Sequence, residues 1–393
     1  MKSINEKLTI LKKELNNRNA RIMIIGLGSV GNYLLDYLVS QADEKIDICV
    51  VGRNEEKMES DVNIVKIAAL IRREYRSNIE IDATVDLNEV GSIAKAIKRY
   101  SPDIIVNSSR AYAGLKYGSI SWKNVRAYGI WSPLSIRYTK NIMEAYEMVR
   151  SDAIVINTSY SDAVIPWLKS AGKAYPDFGS GNINHLIYRF KLAVGQLLEI
   201  DDFWNVDITF AVSHFHDVCI SKEGHSEGTQ MLIDMKYNGV PLKIDINDVI
   251  AKCRIPMPVD AKRNMMNASS NFEIIQAILV AVRDHKKTKL HCPGVFGEIG
   301  GYPVVIDGSD EVPKAYIDES VFSLDEMKRK NKESIYFDGI ESIEDGILTY
   351  TDELIAKTKR AFGVDLIKKV PFEQIDKTAE FIVKEIIERN IDK

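Results

Sequence analysis

The sequence predicts an α/β protein: a Rossmann doubly wound parallel sheet followed by a second α+β substrate domain. Three observations carry this. The apolar run Arg21-Ile22-Met23-Ile24-Ile25 leads into Gly26-Leu27-Gly28-Ser29-Val30-Gly31, a G-x-G-x-x-G motif, and then into the helical pattern from Asn32 to Leu38. A second apolar run, Ile46-Asp47-Ile48-Cys49-Val50-Val51, arrives roughly 20 residues later, where a βαβ unit needs its next strand. Strand-like and helix-like segments keep alternating after it, the pattern of parallel strands joined by crossover helices.

In the glycine motif, Gly26 allows the tight strand-to-helix turn, Gly28 lets the backbone approach a pyrophosphate, and Gly31 lets the helix sit close on the strand. The first amides of the helix, at Ser29, Val30 and Gly31, then face the phosphates. The second strand ends Val51-Gly52-Arg53-Asn54. NAD-specific sites place Asp or Glu here to hold the ribose hydroxyls, and that carboxylate would repel a 2′-phosphate. Gly52 leaves room and Arg53 supplies a cation, with Lys57 one helical turn on, so the strand end favours NADP, with NAD the alternative.

The alternation continues with a helix over 58–73, a strand over 79–84, a helix over 90–100 and the apolar run Asp103 to Asn107. A helix over 135–150 leads into Ala153 to Asn157. Both apolar runs end in an amide side chain, as expected where a parallel sheet presents its carboxyl ends to a ligand. Asn107, Ser108 and Asn54 therefore join the cofactor-binding set, and Asn157 is expected to hold the nicotinamide and the substrate oxygen together. Beyond residue 178 the character changes to a helix over 184–198, strands over 206–213 and 230–237, a helix over 271–285, a strand and turn over 302–308 and an amphipathic helical tail over 351–391. The expected division is an N-terminal helical extension (1–20), an NAD(P)-binding domain (21–177) and an α+β substrate, catalytic and oligomerisation domain (178–393).

The 393 residues, 45% hydrophobic and 27% charged, are ordinary for a globular chain and exclude a disordered or fibrous one. A net charge of −4 without a long Lys/Arg stretch argues against nucleic acid as partner. The four cysteines lack C-x-x-C spacing, and Cys49 falls in an apolar strand, which reads as reduced thiols in the cytoplasm. Residues 1–19 are polar and helical in period, and no later stretch is expected to reach membrane-spanning length, so neither export nor a membrane is expected.

Several separated segments, in one order, resemble the lactate/malate dehydrogenase superfamily: the glycine motif with Val50-Val51-Gly52-Arg53-Asn54, the strand ending at Asn157, Gly179-Ser180-Gly181-Asn182 leading to Tyr188-Arg189-Phe190, Phe210-Ala211-Val212-Ser213-His214, and Gly297 to Val305. The resemblance spans residues 20 to 350 and is to a divergent member. It implies a nicotinamide-dependent dehydrogenase, a homodimer or homotetramer acting on a polar hydroxy or oxo compound, with or without a carboxylate. In that family the base lies in a histidine loop after a second-domain strand, the place of His214, with His216 two residues on. The family's carboxylate-binding arginine precedes a Phe, as Arg189 does here.

Two departures matter. The acid that orients the family's histidine lies three residues before the arginine, where this chain has Leu186. Asn184 or His185 is then expected to take its place, or the mechanism has changed. The family's Gly-rich closing motif with its arginine is replaced by 109–118 and 122–133, rich in aromatic and cationic residues such as Arg110, Tyr112, Trp122, Arg126 and Tyr128, which reads as a lid over a larger substrate. Two rivals follow. One is an NAD-dependent glycosidase-like enzyme, a class in the same superfamily, with a metal gathered by His214-x-His216, alternate residues on one strand face, and the following Asp217. The other is a dinucleotide-binding regulatory protein that has lost catalysis, which the missing acid would favour.

Overall fold

The structure, a computed structural model, describes residues 1–40, 46–74, 77–112 and 114–390. Helix α1 (Ile4–Leu15) opens with a capping box: Ser3 Oγ accepts from Glu6 N, and the Glu6 carboxylate accepts from Ser3 N. Its Leu8 and Leu11 are buried. Strand and helix then alternate through β1 (Ala20–Ile25), α2 (Ser29–Ser40), β2 (Ile46–Val51), α3 (Glu55–Arg72), β3 (Asn78–Asp82), α4 (Val90–Tyr100), β4 (Ile104–Asn107), α5 (Gly114–Asn124), α6 (Ser132–Met148), β5 (Ile154–Asn157), α7 (Ser161–Ser170) and β6 (Phe178–Gly179).

These six strands form one sheet in the order β3-β2-β1-β4-β5-β6, every neighbouring pair parallel. The order reverses between β1 and β4, and the loops leaving their carboxyl ends part there to make a ligand crevice. All residues of β4 and β5 are buried, because helices cover both faces of a parallel sheet.

The rest of the chain runs α8 (Ile183–Leu198), β7 (Val206–Ala211), α9 (His214–Glu223), β8 (Leu232–Tyr237), β9 (Val240–Pro241), α10 (Ile246–Lys252), α11 (Asn264–Asp284), β10 (Lys287–Pro293), β11 (Gly301–Asp307), β12 (Lys314–Ile317), α12 (Leu324–Phe337), β13 (Ile340–Glu344), β14 (Ile347–Tyr350), α13 (Asp352–Phe362), β15 (Lys369–Pro371) and α14 (Ile375–Ile382). Its strands make three antiparallel sheets: β7-β8-β9, β10-β11-β12 and β13-β14-β15.

The apolar side chains sort into three cores. One face of the parallel sheet (Met23, Ile25, Ile105, Val155) packs with α4, α6, the β13-β14-β15 sheet and α14. The other face (Ile22, Ile24, Val106, Ile156) packs with α2, α11 and the β10-β11-β12 sheet. Only the stretch around α8, β7, β8 and α10 has a core of its own. Sheet and cores thus divide the chain differently from a break at 177/178: β6 lies beyond that point, and the segments after Asn264 close over both faces of the parallel sheet.

The segment expected to be a helical tail is interrupted by β15, and Ile391 lies outside the described residues. A second expectation is corrected: the helical stretch Ala261–Asp284 is 24 residues long with mean hydropathy 1.2, long and apolar enough to cross a membrane. Its apolar residues Ile274, Ile275, Ile278 and Leu279 are buried in the core shared with α2.

Candidate active site

The glycine loop has the shape the sequence predicts. Gly26 sits at φ 91°, the left-handed region that favours glycine. A Cβ at Gly31 would lie 2.3 Å from the Gly26 carbonyl, so helix and turn touch there. A Cβ at Gly28 would meet nothing within 4 Å. The second glycine thus opens onto free space at the first turn of α2, the cradle a pyrophosphate needs. No ligand is part of the structure, and these residues fit a dinucleotide.

The end of β2 is less committed. Arg53 is 71% exposed at its side chain, and its guanidinium lies 4.0 Å from Asp86 Oδ1. Lys57 is bonded to Asp61 instead of standing free, Asn54 caps α3 by accepting from Lys57 N at 3.0 Å, and a Cβ at Gly52 would lie 2.8 Å from Met58 Sδ.

At the sheet edge, Asn107 Nδ2 donates to Asn157 Oδ1 (2.9 Å) and Thr139 Oγ1 (3.1 Å), and its Oδ1 accepts from Ser109. Asn157 Oδ1 accepts from Thr139 as well, and its Nδ2 donates to Ser159 O and Ser161 Oγ, each at 3.0 Å. Both donors and both acceptor positions of Asn157 are taken, and the residue is fully buried. It braces β4 against β5 and has no hydrogen bond left for a nicotinamide or a substrate. Ser108 Oγ donates to the Gly26 carbonyl at 2.6 Å and fixes the glycine turn.

His214 is the first residue of α9, with Ser213 as N-cap, and not part of a loop or strand. The helix turns His216 away from it, into the core, where Nδ1 pairs with Ser334 Oγ (2.8 Å) and Nε2 with Ser226 O (3.2 Å). Burial pushes the His216 imidazole down to about 4, so it stays neutral. The shared strand face required for a His-x-His metal site does not exist.

The orienting acid for His214 comes from elsewhere. Asp338, fully buried at the end of α12, places Oδ2 2.8 Å from His214 Nδ1. The same carboxylate accepts from Tyr160 Oη (2.7 Å) and from Tyr128 N (2.6 Å). Tyr128 and Tyr160 also set their rings edge-on to the imidazole, with centroids 4.8 and 5.1 Å away. Tyr160 takes a left-handed backbone (φ 43°) to start α7, and Asp162 in that first turn accepts from His214 N at 3.1 Å.

Burial alone would depress the His214 imidazole. The charge and hydrogen bond of Asp338, with the charges of Asp162 and Asp217, outweigh it and hold the group above its ordinary value. Nε2 has no hydrogen-bond partner among the described residues. Asp162 and Tyr160 follow directly on β5, so the imidazole stands at the carboxyl edge of the parallel sheet. β5 is two strands from β1, about 10 Å from the glycine loop at the usual strand spacing.

Neither expected substitute for the acid acts as one. Asn184 donates to Glu273, and burial pushes His185 down to about 4. Arg189 is 4% exposed; its Nη1 donates to Cys253 O at 3.1 Å and its Nη2 lies 3.0 Å from Met257 Sδ. The expected lid is largely α5 and the start of α6, and Ala113 within it lies outside the described residues. Two of its prominent residues are engaged: Arg126 pairs with Glu223 and Glu227, and Trp122 Nε1 donates to Glu223 at 2.9 Å. Cys219, Glu223, His225 and Glu227 gather their donor atoms within 4.8 Å of one another, but Arg126 Nη2 already bonds both carboxylates and lies 3.6 Å from Cys219 Sγ, so the cluster holds a guanidinium as its cation.

A two-domain Rossmann architecture with a carboxylate-held histidine at the sheet edge is the class that fold and site define. A family model, the saccharopine dehydrogenase NADP binding domain, matches residues 22–120. Among solved structures, lactate dehydrogenase of Cryptosporidium parvum, complexed with lactic acid and nicotinamide adenine dinucleotide, is similar at TM-score 0.55 and 15% identity, covering 88% of this chain and 99% of its own. Malate dehydrogenase of the same organism gives 0.53 and 16%, covering 81% and 96%, and that of Aeropyrum pernix 0.52 and 16%, covering 80% and 94%. No curated protein matches by sequence. The chain thus has the fold of the lactate and malate dehydrogenases, at an identity that speaks for the fold alone.

Proposed function

We propose that the protein is a nicotinamide-dependent oxidoreductase that interconverts a polar secondary alcohol and its carbonyl compound, with NADP as cofactor. The observation that carries this reading is the His214–Asp338 pair standing beside the crevice into which Gly28 opens. When bound, the nicotinamide supplies the acceptance or return of a hydride. The chain's own residues manage the proton and the geometry. His214 Nε2 takes the proton of the substrate hydroxyl in oxidation and gives it back in reduction. Asp338 fixes the tautomer with hydrogen on Nδ1 and steadies the imidazolium that forms. Asp162 and the two tyrosine rings hold the imidazole in place.

NADP is supported by Arg53 at the end of β2 and by the printed description of the matching family model. The proposed homodimer or homotetramer is supported by α3, whose outer face leaves Ile64, Ile67, Leu70 and Ile71 more than half exposed. The proposed cytoplasmic setting is supported by four cysteines that are buried and unpaired. The observation behind a catalytically inactive reading, the missing acid at Leu186, loses its weight because Asp338 supplies the carboxylate.

Fluorescence titration with NADPH and NADH, followed by absorbance assays over a panel of hydroxy and oxo acids, tests the reading. Dinucleotide binding with turnover that His214→Asn abolishes is expected. Absence of dinucleotide binding, or turnover indifferent to His214, would overturn it.

A further inference from the structure

A second cluster of reactive side chains lies at the other end of α9 from His214. Cys219 and Glu223 stand one turn apart on the helix, and Gly224, at φ 75°, turns the chain so that His225 and Glu227 come back over the sulfur. All four donors come from residues 219–227, in a local C-x-x-x-E-x-H-x-E pattern. Cys219 is buried, Glu223 and Glu227 are partly exposed and His225 is half exposed, so solvent reaches the cluster from the histidine side.

The sulfur faces more acceptors than a thiol can serve. Sγ lies 3.3 Å from His225 O, 3.5 Å from His225 Nδ1, 3.7 Å from Glu223 Oε2 and 3.9 Å from Glu227 Oε2. Nδ1 is an acceptor like the oxygens, because it takes a hydrogen from Glu227 N (3.2 Å), and a thiol has one hydrogen to give. A shared cation suits these distances better. Tetrahedral zinc, with bonds of about 2.3 Å to sulfur and 2.0–2.2 Å to nitrogen and oxygen, sets its ligands about 3.3–3.7 Å apart. The triangle of Sγ, His225 Nδ1 and Glu227 Oε2 has edges of 3.5, 3.5 and 3.9 Å. His225 Nε2 lies 3.0 Å from Glu223 Oε2 and carries the ring hydrogen, the tautomer that presents the Nδ1 lone pair to a metal.

Charge favours a cation of higher valence than the one in place. Arg126 Nη2 bonds both Glu223 and Glu227 and lies 3.6 Å from Cys219 Sγ, so one guanidinium answers two carboxylates. The carbonyl end of α9 adds negative potential at Glu223.

We propose that Cys219, Glu223, His225 and Glu227 form a binding site for a thiophilic divalent cation, zinc being the ion that fits, and that this ion exchanges with the Arg126 guanidinium. Thiolate and imidazole ligands select against magnesium and calcium. On binding, the S–H bond of Cys219 gives way to a sulfur–metal bond and the proton passes to solvent; nothing is oxidised. His225 Nδ1 trades its bond from Glu227 N for the metal, and Arg126 leaves the carboxylates. Both forms of the cluster carry one net negative charge, so the exchange leaves the local charge unchanged. Arg126 belongs to the connection between α5 and α6, where Tyr128 N bonds Asp338 two residues further on. The metal thus unfastens that connection beside the His214–Asp338 pair without touching reacting atoms. The site stands apart from the oxidoreductase reading and holds whatever the reaction is.

The test uses the reduced, chelator-treated full chain and calorimetric titration with zinc chloride and with magnesium chloride. Wild type should bind one zinc per chain and release one proton, read by repeating the titration in two buffers of different protonation enthalpy, and should not bind magnesium. Cys219→Ser should weaken zinc by about tenfold or more, and so should His225→Ala, whose half-exposed side chain keeps the test valid if Cys219→Ser fails to fold. Arg126→Gln should bind zinc about tenfold more tightly than wild type, because it removes the competing cation. Thermal melting without metal confirms that each variant is folded. The inference is overturned if wild type binds no zinc, if magnesium binds as well as zinc, or if no proton is released. Zinc binding that survives both Cys219→Ser and His225→Ala would place the ion elsewhere, and Arg126→Gln binding zinc no more tightly than wild type would exclude the exchange.

Discussion

Asp338 and His214 lie 124 residues apart and meet at 2.8 Å, a carboxylate from the end of α12 closing on the first residue of α9. Tyr128 N and Tyr160 Oη fill the other positions on that carboxylate, so it can turn neither away from the imidazole nor out to solvent. Asp338→Asn keeps the shape and removes the charge. The amide nitrogen would face Nδ1 as a donor, forcing the imidazole hydrogen onto Nε2 and leaving it unable to accept a substrate proton. In wild type, histidine NMR should show His214 titrating above its ordinary value; in the variant the titration should move down, and turnover should fall by at least about tenfold. Because the wild-type imidazole is held above its ordinary value, oxidation should fail as pH drops through that raised value and reduction should fail as pH rises through it. An unshifted titration in Asp338→Asn would mean that the pair is only structural.

Gly28 and Gly31 separate cofactor binding from folding. A side chain at Gly28 enters open space, so Gly28→Val should keep native thermal stability and lose dinucleotide binding. A methyl group at Gly31 would sit 2.3 Å from the Gly26 carbonyl, so Gly31→Ala should destabilise the fold by about 1–3 kcal/mol. Calorimetric melting beside fluorescence titration checks both. A Gly28→Val protein that binds NADPH normally would remove the pyrophosphate from this loop.

Arg53 is exposed and loosely placed, 4.0 Å from Asp86, free to turn toward a 2′-phosphate. Arg53→Ala should weaken NADPH by about tenfold and leave NADH unchanged, which paired titrations would show. Equal loss for both dinucleotides would assign Arg53 to the adenine ring instead.

What the sequence made legible follows from the range of each signal. β2 and α4 fall on the residues that periodicity marks, since burial patterns repeat within a few positions. The glycine motif carried its own geometry for the same reason. Asp338 was invisible: nothing near residue 338 announces a partner at His214, and the family pattern pointed to Leu186. The β13–β14 hairpin is legible in the sequence. Asp345-Gly346, at φ 50° and 75°, is the pair a tight hairpin turn requires, and it lies between two apolar runs. Helix α9 was hidden because His214 and His216 read equally well on a strand.

The N-terminal helix supplies the last prediction. Lys7, fully buried on α1, reaches Asp177 just before β6, with Nζ 2.8 Å from Oδ2 and 3.0 Å from Oδ1, and its ammonium lies 4.9 Å from the Tyr146 ring centre. Asp177 Oδ2 also accepts from Val155 N at 2.8 Å, so the carboxylate joins β5, β6 and α1 at the edge of the sheet away from the ligand crevice. Removing only the cation leaves a buried carboxylate without a counter-charge, and Lys7→Met should cost about 3–5 kcal/mol in denaturant unfolding. Lys7→Met with Asp177→Asn removes both charges and keeps an acceptor for Val155 N, so most of that loss should return. If Lys7→Met instead unfolds like wild type, α1 is an appendage whose ion pair contributes nothing. If the double variant stays as weak as the single one, the contribution of Lys7 is its packing against Tyr146 and not its charge.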